Sequence, residues 1–519
     1  MLRGLGTVSS LTAVSRVLGL IRDAGMAVLF GAGPLMDAFT VAFRLPNLAR
    51  RLFGEGALTA AFLPVFVREH QADEVRGREL AWAVTTLLTS ILLLLTAALE
   101  AGLLGLLMTT DGPADVLLKL AAILTPYLIF ICVAAQLSAV LHALRRFFWP
   151  ALLPLVLNAF WIAAIFAAPL VGDVRVSQMT FICVAISLSG VVQVSILLVV
   201  LRQIGFRWAW APRRSAAATR EIAAAIVPTM IGLSITQLNA VADSLLAWGL
   251  SPSSGIDDRF QFVQAGAATA LYLGQRVHQV PLGVFGIALS TVLFPVFAEH
   301  AQAGRTKELG RDITLGIQLC LLVGVPASLG LVLLGREIPR LLFEYGAFDA
   351  RSTDLTAQML AGYGLGVWAF MTLPILNRGF FAIGDRLTPM RVGLAIVAVH
   401  LLLDLVGVVV AGGAGLAVAT SVAAILQVAV VVRLVHRDVA PLRVRALART
   451  AARVAAATIA MAVACRLSQR LVGSESRALA VVLPVAVSIV TYAVVAYLLR
   501  LHRIVRDVRQ AKDDRDVHT

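Results

Sequence analysis

The chain has 519 residues, 59% hydrophobic and only 14% charged, with a formal net charge of +14 and a mean hydropathy of +0.88. A soluble chain carries about 25% charged residues, and the shortfall here runs the whole length, which excludes a soluble domain on one anchor. The apolar runs are long and continuous, as at 84–108 and 478–499. Barrel strands would be short and alternating, so the expected class is an all-α polytopic membrane protein, each span needing roughly 20 apolar residues.

In chain order, apolar runs between polar breaks give fourteen transmembrane helices, at 6–31, 35–66, 79–108, 115–144, 148–170, 177–201, 220–249, 264–297, 312–335, 354–381, 392–411, 414–434, 448–468 and 478–499. The first carries Arg16, Arg22 and Asp23 and closes on no small-residue cleavage site, so it reads as a retained span rather than a signal peptide. Pro46 and Gly54-Glu55-Gly56 interrupt the second. Cys132, Cys183, Cys320 and Cys465 lie singly in apolar segments, as small core residues rather than a disulfide or metal set.

Basic residues set the orientation. With the N-terminus inside, the cytoplasmic segments hold about 29 Lys and Arg and the opposite loops about 8. Both termini are then cytoplasmic. The net charge is a topogenic signal aided by anionic headgroups, and no nucleic-acid partner is expected. Trp208 and Trp210, beside Arg207 and Arg213, fit an interfacial belt.

An internal echo organises the helices. ALTAAFLPVF at 57–66 returns as ALSTVLFPVF at 288–297, which lays the eighth span on the second. A shift of six spans preserves topology, so the repeat is parallel. The expected plan is two pseudo-symmetric six-helix lobes plus two C-terminal helices. An N-lobe at 1–201 (helices 1–6) precedes a cytoplasmic linker at 202–219 and a C-lobe at 220–436 (helices 7–12). Helices 13–14 follow at 437–500, then a cytoplasmic tail at 501–519.

Charges inside the spans point to function. Arg16, Arg22, Asp23, Asp37, Arg44, Arg50, Arg51, Glu55 and Arg276 all fall in spans 1, 2 and 8. An arginine at a helix centre costs about 2.5–3.5 kcal/mol on the insertion scale. Asp37, Arg44 and Arg51 are spaced to share one helical stripe, and Arg16 and Asp23 another. Asp23 and Asp37 can neutralise two arginines, and the rest leave a cationic surplus. A cationic cavity suits an anion, and guanidinium forks match phosphate oxygens. The competing reading is charges paired among themselves as structural glue. No nucleophile–base constellation, metal-ligand set or phosphate loop appears, so no catalysis is expected.

The strings SRVLGLIRDA (15–24), FGAG (30–33), DAFTVAFRLPNLARRLFGEGAL (37–58) and FLPVF (62–66) closely resemble the MurJ (MviN) family of lipid II flippases. YLGQRVHQVPLGVFGIALSTVLFP (272–295), EYGAF (344–348), GDRLTP (384–389) and GLAVATS (415–421) carry the resemblance through the second half. The resemblance implies a member of the MOP exporter superfamily in the bacterial inner membrane. It would carry lipid II, the undecaprenyl-diphosphate-linked disaccharide-pentapeptide, from the cytoplasmic to the periplasmic leaflet by alternating access, surrounded by membrane lipids. A polysaccharide-lipid flippase or another exporter of the superfamily is the alternative. Oligomeric state is left open, a monomer being compatible.

Residue by residue, the resemblance places essential cavity arginines at Arg16, Arg22, Arg51 and Arg276. It adds Asp37, Arg44, Asn47, Arg50, Glu55 and Thr269 to the expected substrate-binding set. Gln275 stands where the family often has an acid. The last two spans correspond to a groove for the polyprenyl tail. An ion site in some relatives maps to Asp243, His400, Asp404, the backbone of Leu416, and Thr420, with His400 where the family usually has Asn. Sodium as coupling ion, a proton site, and a structural polar cluster all stay open for that set. No other cofactor is expected.

Overall fold

The computed structural model describes residues 2–50, 57–109, 112–209, 211–472 and 476–504. Among them the chain is helical throughout, with no strand. Two compact units are formed, 1–261 with 345–347, and 262–344 with 348–519.

The first unit holds α1 (Leu2–Phe30), α2 (Pro34–Ala49), α3 (Ala57–Ala72), α4 (Glu74–Leu107), α5 (Pro113–Leu124), α6 (Tyr127–Ala143), α7 (Phe148–Ala167), α8 (Arg175–Gln203) and α9 (Pro212–Gly249). Helix α1 packs on α7, α2 on α5, and α8 on both α6 and α7. Helix α9, the seventh span of the sequence reading, packs on α2, α3 and α4. One core gathers Met26, Phe39, Leu124, Cys132, Trp161 and Cys183, and a second gathers Phe62, Phe66, Trp82, Leu137 and Leu201.

The second unit holds α10 (Ala267–Pro281), α11 (Ile287–Gln302), α12 (Thr306–Leu333), α13 (Glu337–Leu342), α14 (Ala350–Gly364), α15 (Val367–Ala382), α16 (Leu387–Leu434), α17 (Val444–Val472) and α18 (Arg477–Leu498). Helices α12, α15 and α16 enclose its main core, around Ile317, Ile375, Phe380 and Val431. The hairpin α17–α18 docks on α12 with polar pins. Gln318 Nε2 donates to Thr450 Oγ1 (2.8 Å), and Tyr492 Oη to the Leu322 carbonyl (2.6 Å).

Among the described residues eight helical stretches are long and apolar enough to cross a membrane, and α14 with α15, bent by 41°, makes a ninth when taken as one span. Helices α1, α2, α3, α9, α10 and α11 are not among them. Several spans expected as single helices are interrupted. Pro126 parts α5 from α6, and a π-helical turn at Leu282–Gly286 parts α10 from α11. Helix α16 joins expected spans 11 and 12 across a kink at Ala411 and Gly412, the latter at φ 58°. Glycine is the residue that adopts that left-handed angle without strain. The echoing strings form α3 and α11, both 16-residue helices with an internal proline, Pro64 and Pro295.

Candidate functional site

Arg22 of α1 is buried, 5% exposed. Its Nη2 and Nε donate to Asp23 Oδ1 at 2.6 and 3.0 Å, and Nη1 donates to Asn158 Oδ1 at 3.1 Å. The guanidinium lies 4.2 Å from the centroid of the Trp161 ring. Both Asn158 and Trp161 belong to α7, against which α1 packs. Asn158 Nδ2 returns a bond to the Ser15 carbonyl of α1 at 3.0 Å. Trp161 meets Phe39 and Phe43 of α2 edge-on, at 5.5 and 4.9 Å. The charge is thus neutralised by a carboxylate, faced by an amide and backed by an aromatic ring, which is what burying a guanidinium requires.

The remaining first-unit positions spread along α1 and α2. Arg16 is exposed, so the stripe shared by Arg16 and Asp23 is not where the buried pair forms. Asp37, fully buried in the first turn of α2, receives the Ser253 hydroxyl at 3.4 Å. A carboxylate there is also favoured by the helix dipole. Arg44 Nε donates to Ser244 Oγ of α9 at 2.8 Å. Arg50 Nη2 donates to Asn47 Oδ1 at 3.2 Å. Arg51 and Glu55 lie outside the described residues.

In the second unit, Arg276 of α10 donates through Nε and Nη2 to Tyr272 Oη at 3.2 and 3.0 Å. Thr269 is fully buried two helical turns before it. Gln275 lends its carbonyl to His278 Nδ1 at 3.0 Å, and that ring stacks on Tyr363 at 5.1 Å.

The expected ion set is largely assembled by the fold of α16. His400 Nδ1 lies 3.4 Å from Asp404 Oδ2, one turn on, and both side chains are fully buried. The kink returns the chain so that Thr420 Oγ1 stands 3.3 Å from His400 Nε2. Thr420 in turn donates to the Leu416 carbonyl at 2.9 Å. Asp243 is buried on α9, in the first unit. The donors comprise an imidazole, a carboxylate, a hydroxyl and a carbonyl, a mixture that suits a small cation or a shared proton.

Sequence reasoning missed Asn158, Trp161 and Tyr272. Tyr272 sits one turn before Arg276, so helical spacing alone could have found it. Asn158 and Trp161 gave no local signal, because their partner is 136 residues away for Asn158.

Apolar helices long enough to cross a membrane, with ionisable side chains buried among them, define a multi-pass membrane protein. The family model for the lipid II flippase MurJ matches residues 26–482. A probable lipid II flippase MurJ of Rhizobium tropici is 33% identical over 426 residues, covering 80% of this chain and 77% of that protein. Another from Vibrio cholerae is 31% identical over 450 residues, covering 83% and 82%. The fold matches a lipid II flippase MurJ in an inward closed conformation at a TM-score of 0.77 and 21% identity, over 96% of this chain and 99% of that one. It also matches an inward-facing multidrug resistance MATE family transporter of the MOP superfamily, at a TM-score of 0.64 and 14% identity over 82% and 94%. The chain belongs to the MurJ lipid II flippase family.

Proposed function

We propose that this chain is a lipid II flippase of the bacterial cytoplasmic membrane. It carries the undecaprenyl-diphosphate-linked peptidoglycan precursor from the cytoplasmic to the periplasmic leaflet through fourteen spans, with both termini inside. The observation that carries this reading is the family match along 26–482, and the buried arginine of α1 agrees with it.

The physical task is to pass a polar diphosphate headgroup through hydrocarbon, where unpaired polar groups are prohibitively costly. Arg16, Arg22, Arg51 and Arg276 are the groups assigned to the diphosphate. Asp37, Arg44, Asn47, Arg50, Glu55 and Thr269 shape the rest of the site. At rest Arg22 is held by Asp23 and Asn158, so an arriving diphosphate competes with Asp23 for a fork already aimed. Alternating access then releases the headgroup outside while the tail stays in lipid. The cation-responsive element is the group His400, Asp404, Leu416 and Thr420 on α16.

Depletion with complementation tests the assignment. In cells losing their native flippase, lipid II should accumulate in the inner leaflet. Wild type should relieve this, and Arg22→Ala and Arg276→Ala at equal expression should not. Relief by both variants would refute the arginine site; failure of wild type would refute the substrate.

A further inference from the structure

Helix α10 keeps one stripe partly open. At about 100° per residue, Tyr272, Gln275, Arg276 and Gln279 fall within an arc of about 100°, and all four are partly exposed. Leu273, Gly274, Val277 and His278 fill the opposite side and are buried. That side is fixed. A Cβ on Gly274 would stand 3.2 Å from Met359 Cβ and 3.3 Å from the Leu360 nitrogen, both of α14, so the two helices meet at backbone distance. The His278 ring stacks on Tyr363 at 5.1 Å and meets Phe370 edge-on at 5.4 Å. The stripe therefore has a set direction, and its side chains need only local anchors.

Tyr272 is such an anchor for Arg276. The two stand one turn apart on the stripe. The phenol oxygen accepts from Arg276 Nε at 3.2 Å and Nη2 at 3.0 Å, and the guanidinium carbon lies 5.2 Å from the ring centroid. A guanidinium has two edges that can grip a pair of oxygens, Nε with Nη2 and Nη1 with Nη2. Turning the first edge to Tyr272 presents the second to a ligand.

The chemistry of the anchor matters as much as its place. Arg22 is held by the Asp23 carboxylate, which repels an arriving anion. A neutral phenol holds Arg276 without repelling phosphate. No Asp or Glu occurs between Asp258 and Glu299, so α10 itself supplies no carboxylate.

We infer that Tyr272 is a positioning residue for anion capture: it orients the Arg276 fork so that the Nη1–Nη2 edge meets the phosphate oxygens of the substrate. This rests on the assignment of Arg276 to the diphosphate and adds the residue that sets its direction.

The test is a double-mutant cycle on the full purified chain. Binding of purified lipid II is titrated by native mass spectrometry, with melting temperature measured alongside. Arg276→Ala should weaken binding. Tyr272→Phe keeps the ring and loses only the oxygen acceptor. It should weaken binding roughly tenfold, the size of one hydrogen bond to a charged group, at an unchanged melting temperature. Adding Tyr272→Phe to Arg276→Ala should weaken binding no further, because a residue that acts through Arg276 then has nothing to orient. Wild-type affinity in Tyr272→Phe beside a weakened Arg276→Ala would overturn the inference and leave the arginine site standing. A tenfold loss added on the Arg276→Ala background would make Tyr272 an independent contact, and a loss matched by a fall in melting temperature would make the phenol structural; either overturns the positioning role. Wild-type affinity in Arg276→Ala would remove the arginine assignment itself, and the inference with it.

Discussion

Asn158 touches α1 twice, accepting from the Arg22 guanidinium and donating to the Ser15 carbonyl. One amide therefore fixes both a charged side chain and the helix that bears it. Removing one member of a buried ion pair costs about 3–5 kcal/mol, whereas replacing both members by apolar groups is often neutral. Asp23→Ala should accordingly lower the apparent melting temperature of the purified protein sharply. Arg22→Met with Asp23→Leu should recover much of that loss and still fail to complement growth. A double variant as unstable as Asp23→Ala would show that the pair is structural scaffolding; one that complements would remove Arg22 from the transport site. The sequence made Arg22 legible as a buried charge, because its distance from the span ends forbids snorkelling. The partner was less legible. Seven-residue spacing set Arg16 beside Asp23, yet the bond forms between neighbours, since a long flexible arginine can fold back on the adjacent carboxylate.

Helix α16 shows the same division one scale up. Long apolar runs announced two spans at 392–411 and 414–434, and the kink falls at Ala411 and Gly412 between them. Close packing of its two legs depends on glycine, since a Cβ on Gly415 would collide with the Gly407 carbonyl. That approach is what sets Thr420 against His400. Breaks inside apolar runs were harder to read. The π-helical turn at Leu282–Gly286 and the bend between α14 and α15 fall at Pro281 and at Leu365-Gly366, each between a polar-studded helix and a more apolar one, so hydropathy marks a change of composition there and not a break. Prolines are an ambiguous guide: Pro126 stands at a break, while Pro46 and Pro64 lie within helices. The cation reading belongs to this element. Sodium should raise the melting temperature of wild type relative to choline at equal ionic strength, and Asp404→Ala should abolish the rise. A sodium effect that survives in Asp404→Ala would place the ion elsewhere, and none in wild type would remove sodium and leave a proton site or a structural polar cluster.

For the whole molecule, orientation follows from where the basic residues stand, and the native cysteines make it measurable. Cys132, Cys183, Cys320 and Cys465 are all buried, so a cysteine introduced at an exposed loop reports against a quiet background. Ile256 is 40% exposed in the loop before α10, and the Arg305 side chain is 47% exposed after α11. Between them α10, the π-helical turn and α11 run from Ala267 to Gln302. At 1.5 Å per residue that is about 54 Å of helix, ample for a hydrocarbon core of roughly 30 Å despite the interruption. The loop at 250–263 holds one basic residue, Arg259, whereas Arg305, Lys307 and Arg311 cluster after α11. The positive-inside rule then puts Ile256 outside and Arg305 inside. A membrane-impermeant maleimide should label Ile256→Cys in intact cells, and Arg305→Cys only after permeabilisation. The reverse pattern would invert the topology. Labelling of both from outside would mean that this interrupted helix does not cross, and Arg276 would then lose its place within the membrane.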